Sequence, residues 1–123
     1  ITRTANTAAR EEMMGNPILK RVGQYPAARK MTDRFFRLKF KKEKIEGIVA
    51  TIEPGETLET YIHEGEEAHI VLEGRIEYVV GNETFVLEPG DVLCHRSDVP
   101  HGARNIGDVQ ARYFTVGTPP TFI

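Results

Sequence analysis

From Phe35 onward, apolar residues fall in short runs rich in Val, Ile, Thr, Phe and Tyr, interrupted by turn signals at intervals of about eight to twelve residues. In FFRLKFKK, Phe36, Leu38 and Phe40 alternate with Arg37, Lys39 and Lys41, the period of a half-buried strand with a solvated basic face. The pattern predicts strands at Phe35 to Phe40, Gly47 to Glu53, Thr57 to Ile62, Ala68 to Leu72, Arg75 to Val80, Glu83 to Leu87, Asp91 to His95, His101 to Asn105 and Gln110 to Val116. Such spacing indicates an all-β sandwich or barrel. Gly81-Asn82 forms a two-residue hairpin turn, and Glu53-Pro-Gly-Glu56 and Glu88-Pro-Gly-Asp91 repeat one turn chemistry. The prolines of the tail TPPTFI cannot donate to a ladder, so the sheet is expected to end near Gly117.

Residues 1 to 16 are small and polar, with a weak helical stretch from Ala8 to Met14 that ends at Gly15-Asn16-Pro17. Residues 1–28 are read as an N-terminal arm or linker and residues 29–123 as one β domain. The chain begins at Ile1, which leaves room for a missing N-terminal segment.

With 123 residues, 40% of them hydrophobic, the chain has the size of one domain that buries about two thirds of its unfolded surface. It has neither a run of about 18 apolar residues nor a signal-peptide pattern, so a cytoplasmic, membrane-free protein is expected. The single cysteine, Cys94, excludes an internal disulfide and a multi-cysteine zinc cluster, and reads as a small buried hydrophobe. The net charge of −2 hides an asymmetry: residues 29 to 44 carry eight basic residues against two acids, and residues 45 to 91 one base, Arg75, against twelve acids. No groove-reading motif accompanies the basic stretch, so it reads as a solvated strand face.

All four histidines lie between positions 63 and 101. On one straight strand His63 and Glu67 would lie roughly 13 Å apart, too far to share an ion. A helix is opposed by Gly65 and the β-rich run that follows. A tight turn at Glu64-Gly65-Glu66 remains, folding His63 back beside Glu67. His69, two beyond Glu67, shares its face. It could add a nitrogen to an ion or orient Glu67, and a hydrogen-bonded core histidine is the plainer reading for both His69 and His95. Glu64, Glu66 and Glu73 read as solvent-facing, and Arg104 and Arg112 as surface ion-pair partners rather than anion ligands. No nucleophile with a paired base is visible.

The stretch from Gly55 to Asn105 resembles the cupins, small β-barrels whose two motifs read G-x5-H-x-H-x3,4-E-x6-G and G-x5-P-x-G-x2-H-x3-N. Gly55, His63, Glu67 and Gly74 match the first motif, and Gly90, His101 and Asn105 the second, all in register. Three positions depart: Tyr61 replaces the leading histidine, Arg96 the proline and Asp98 the internal glycine. The resemblance implies an all-β, single small jelly-roll barrel with an N-terminal arm. It implies a divalent transition metal (Fe, Mn, Ni, Zn or Cu) on His63, Glu67 and His101, a set equivalent to the two-histidine, one-carboxylate facial triad. Tyr61 could be a phenolate ligand, a donor to bound water or substrate, or a wall residue. A phenol of ordinary pKa, about 10, is a neutral donor, which favours the second.

In form the motifs are most similar to cupin domains that follow a DNA-binding helix-turn-helix in bacterial regulators. That likeness implies a small-molecule-sensing module, with nucleic acid reached only through a missing N-terminal domain. A small metal-dependent enzyme of the oxygenase or isomerase type and a metal-free structural barrel are the alternatives. Cupins commonly pair as homodimers, and Phe35 to Phe40 is the candidate interface strand.

Overall fold

The computed structural model describes residues 17–21 and 36–122, the side chains of 36–38 excepted. The expected helix at Ala8 to Met14 and the boundary at residue 28 fall outside the described residues. Eight strands follow in order: β1 (Phe36–Lys41), β2 (Glu46–Ile52), β3 (Glu66–Glu73), β4 (Ile76–Val80), β5 (Glu83–Leu87), β6 (Val92–Arg96), β7 (His101–Asn105) and β8 (Ala111–Thr118). They form a five-stranded sheet, β1-β2-β8-β3-β6, and a three-stranded sheet, β5-β4-β7. All pairings are antiparallel. This is the two-sheet, all-β architecture expected of a small jelly-roll barrel.

Strand alternation decides what enters the core. In β3, Glu67, His69 and Val71 are buried, and in β8 Ala111, Tyr113, Thr115 and Gly117 are buried. These join Ile52, Ile76, Tyr78 and Leu87, and each large apolar side chain taken out of water contributes about 1.5–3 kcal/mol. Register then places polar side chains side by side on the inner face: Glu67 opposite His95, and His69 opposite Thr115.

The segment expected as a strand at Thr57 to Ile62 is not one. It touches β7 through two isolated bridges, Thr57 to Arg104 and Tyr61 to His101. Only Leu58 is buried and Tyr61 half-buried there, with exposed residues between. A spacing of three cannot hold the two-residue period of a ladder. Cys94 is exposed, correcting its expected burial: β6 turns Leu93 and His95 inward and Val92, Cys94 and Arg96 outward.

The two Pro-Gly turns close alike. Glu56 N–H donates to Glu53 O (3.0 Å) and Asp91 N–H to Glu88 O (2.9 Å). The carboxylate after each turn accepts from the residue that opens it, Glu53 N–H to Glu56 Oε1 (2.9 Å) and Glu88 N–H to Asp91 Oδ2 (2.8 Å). β1 is an edge strand, and its Phe40 stacks on Phe114 of the same chain with ring centroids 6.5 Å apart.

Candidate metal centre

The Glu64-Gly65-Glu66 turn does what its sequence predicts. Gly65 has φ +108°, and a Cβ there would run into the Thr118 carbonyl and the Pro119 ring. The bend brings His63 Nε2 to 3.6 Å from Glu67 Oε2. His101, opening β7 in the other sheet, reaches across with its Nε2 2.6 Å from Glu67 Oε1. His95 Nε2 and His69 Nε2 lie 3.4 Å and 3.8 Å from the same oxygen. All four histidines therefore surround one buried carboxylate. Glu64, Glu66 and Glu73 are exposed. Arg104 and Arg112 lie 3.4 Å from Glu77 and Glu73 as expected of surface pairs.

Hydrogen bonding constrains the ring nitrogens. His101 Nδ1 lies 2.8 Å from the Val99 carbonyl, His95 Nδ1 2.5 Å from the Arg96 carbonyl, and His63 Nδ1 3.3 Å from the Glu64 carbonyl. A carbonyl only accepts, so Nδ1 of His101 and of His95 carries a proton, and in their neutral form Nε2 is the unprotonated nitrogen; His63 Nδ1 lies at the same 3.3 Å from the Thr121 hydroxyl as from its carbonyl. His63 Nε2 and Glu67 Oε1, both buried, have no hydrogen-bond partner. Although His101 Nε2 is close to Oε1, it is not aligned to donate to it. Lone pairs and a carboxylate brought this close repel unless a proton or a cation lies among them. The atoms His63 Nε2, His101 Nε2 and a Glu67 oxygen lie within 4.8 Å of one another. They thus fit a divalent ion of the kind that imidazole and carboxylate ligands hold.

Electrostatics agree. Burial disfavours the charged form of Glu67, yet contact with His101 and the nearby His69, His101 and His95 outweigh it and hold its pKa below the ordinary carboxylate value. Burial likewise opposes charge on His101, but Glu67 and the Val99 carbonyl prevail and raise its pKa. Burial pushes His69 down to about 3 and also lowers His95.

Around these side chains lies a small cavity of about 20 Å³, walled by Tyr61, Tyr78, Tyr113 and Phe122. Tyr61 is bound to the backbone of His101 on both sides, N–H to O at 2.9 Å and O from N–H at 3.1 Å. Burial, then the charge of Glu59, raises the pKa of its phenol, so it stands at the site as a neutral hydroxyl. The other two departures from the motif, Arg96 and Asp98, pair with each other on the surface at 2.6 Å. Asn105 is a structural residue: its amide donates to the Ile52 and Val109 carbonyls (2.9 and 2.8 Å) and its oxygen accepts from Gly107 N–H (2.9 Å).

Four residues went unnoticed in the sequence. Tyr78, Tyr113 and Thr115 occupy inward positions of β4 and β8, and alternation within those strands is the signal that could have found them. Phe122 has no such signal. The tail folds back so that its ring lies 5.1 Å from His63 and 4.9 Å from Tyr61. Phe122 N–H donates to the buried Glu46 at 2.5 Å, and the Thr121 hydroxyl donates to the Glu64 carbonyl at 2.6 Å.

A family model described as "Cupin domain" matches residues 48–117. A polyketide synthase, CurC, from Streptomyces cyaneus is 38% identical over 65 residues, covering 52% of this chain and 42% of that protein. The HTH-type transcriptional regulator PuuR of Escherichia coli is 33% identical over 76 residues, 61% of this chain and 41% of the regulator. The chain thus spans less than half the length of these curated relatives. The solved structure of an uncharacterized conserved protein with a double-stranded beta-helix domain from Klebsiella pneumoniae superposes with a TM-score of 0.71. It covers 85% of this chain and 92% of that one at 21% identity, a likeness of fold alone.

Proposed function

The chain belongs to the cupin domain family, and from that premise we propose that it is a metal-dependent, small-molecule-sensing module. The observation that carries the reading is the set of histidine Nε2 atoms gathered around the buried Glu67, with His63 Nε2 and Glu67 Oε1 lacking any hydrogen-bond partner. His63, Glu67 and His101 would hold Fe, Mn, Ni, Zn or Cu, an ion that polarises a chelated ligand as a Lewis acid. Three protein ligands leave coordination positions for that ligand. Tyr61 donates a hydrogen bond to it, while Phe122 and Tyr113 exclude water around it. The sensing role rests on the likeness to the helix-turn-helix regulator. Nucleic acid would be met only through a DNA-binding segment outside these 123 residues. The edge strand β1 is the proposed homodimer contact, and the cytoplasm the proposed location; no helix among the described residues is long and apolar enough to cross a membrane.

An oxygenase or isomerase is the second reading, favoured by the same open positions on the ion and by the likeness to the polyketide synthase. One experiment separates them. Protein loaded with Fe²⁺, Mn²⁺ or Zn²⁺ is titrated with a panel of small hydroxy acids, diols and catechols while thermal shift and chemical turnover are followed together. A sensor gives metal-dependent shifts without turnover, and an enzyme consumes a ligand. Shifts that persist after chelation contradict both.

A further inference from the structure

The triad at the mouth leaves His69 and His95 unused, and their donor atoms form a group of their own with Glu67. His69 Nε2 lies 2.8 Å from His95 Nε2, and the two stand 3.8 and 3.4 Å from Glu67 Oε1. Neighbouring ligands on one ion at bond lengths of about 2.0–2.2 Å are separated by about 3.0–3.5 Å. Shifts of a few tenths of an ångström would bring all three onto one ion. We propose that this pocket is a second, inner metal site, built from His69, His95 and Glu67, with the Glu67 carboxylate bridging the inner ion and the one at the mouth.

The Nδ1 partner of His69 is a hydroxyl without a carbonyl beside it, unlike those of the other three rings. Each of those rings has a carbonyl at Nδ1, joined at His63 by the Thr121 hydroxyl at the same 3.3 Å, and for His95 and His101 the carbonyl permits one neutral tautomer. His69 Nδ1 instead lies 2.6 Å from the Thr115 hydroxyl, which both donates and accepts. Without an ion, the hydroxyl donates to Nδ1 and the Nε2–H of His69 donates to His95 Nε2. With an ion, the hydroxyl rotates to accept from Nδ1–H, the ring proton having moved from Nε2 to Nδ1. Both Nε2 lone pairs are then free for the metal and no net proton is released. The ring is held for this at the floor of the barrel, 2% exposed, its centroid 4.3 Å from Tyr78 and 5.9 Å from Tyr113.

The inner site rests on Glu67 being a ligand at the mouth, and the test keeps the two readings apart. A Cys94→Ser variant, freed of its exposed thiol, is stripped with chelator, dialysed against Zn²⁺ and analysed for zinc. Two zinc ions per chain are expected. His95→Ala and His69→Leu should each hold one, as should His63→Ala and His101→Ala, and Glu67→Gln should lose both. Thr115→Val should weaken the inner ion, and Thr115→Ser should restore it. If the buried His69→Leu change prevents folding, His95→Ala and the Thr115 pair carry the test. With Mn²⁺, electron paramagnetic resonance should show a spin-coupled pair that His95→Ala uncouples. One zinc per chain, unaffected by His95→Ala, overturns the inner site and leaves the mouth site standing. A second zinc that survives both His95→Ala and His69→Leu also overturns it, and no bound zinc at all overturns both readings.

Discussion

The floor and the mouth of the pocket are built by different means. On the floor, Glu67, His69, His95 and Thr115 project from β3 and the two strands paired to it, β6 and β8, and their positions follow from register. At the mouth, His63 hangs from a glycine turn, Tyr61 from an isolated bridge, and Phe122 from a tail that returns across the barrel. A floor fixed by ladders resists local substitution. A mouth fixed by single bends concentrates its dependence on a few residues. Metal chemistry needs both, a rigid carboxylate and a ligand free to admit a substrate.

Gly65→Ala should break the mouth and spare the floor. The backbone conformation at φ +108° is strained for any L side chain, and the added methyl meets the Thr118 carbonyl. We expect a loss of about 3 kcal/mol in denaturant unfolding. The mouth ion should go with it, while the near-native β signal in circular dichroism remains. Full metal content in this variant would show that the turn does not place His63.

Acid should act on the floor. In chelated protein the unfolded chain protonates His69 as pH falls below about 6.5, its ordinary value, while the folded chain resists until about 3. Stability from this ring is therefore present above 6.5 and lost progressively toward 3, by roughly 3–5 kcal/mol in all. His95, also lowered, adds to the slope. His101, with its raised pKa, opposes it, contributing stability below 6.5 that fades as pH rises through its folded value. Urea midpoints from pH 7 to pH 5 should fall in the wild type and fall less in His69→Leu; equal slopes would contradict the assignment.

The smallest effect is expected at Phe122. Its half-buried ring covers His63, so Phe122→Ala should cost about 1 kcal/mol. It should speed removal of the bound ion by a chelator several-fold. An unchanged removal rate would mean that the tail does not restrict the mouth.

The same division explains what could be read from the sequence. All eight strands are predicted to within two residues at both ends, because alternation and the Pro-Gly and Gly-Asn turns mark them locally. The partnership of His63 with Glu67 was legible for the same reason, since Gly65 leaves a turn as the only geometry that joins them. Thr57 to Ile62 misled because its β-rich composition conceals a spacing of three between inward residues. Cys94 misled because apolar neighbours were taken as burial although alternation along β6 turns it out. Thr115 lies 46 residues from His69, and Phe122 59 or more from His63 and Tyr61, which it covers. The first contact exists only once β3 and β8 have paired, and the second only once the tail has folded back over His63.

The most direct test of the account is an anomalous difference map from crystals of the protein soaked in Mn²⁺ or Zn²⁺. We predict a peak at about 2.0–2.2 Å from His63 Nε2, His101 Nε2 and a Glu67 oxygen. A map with no peak among these three atoms, from crystals whose solution holds saturating metal, would contradict it.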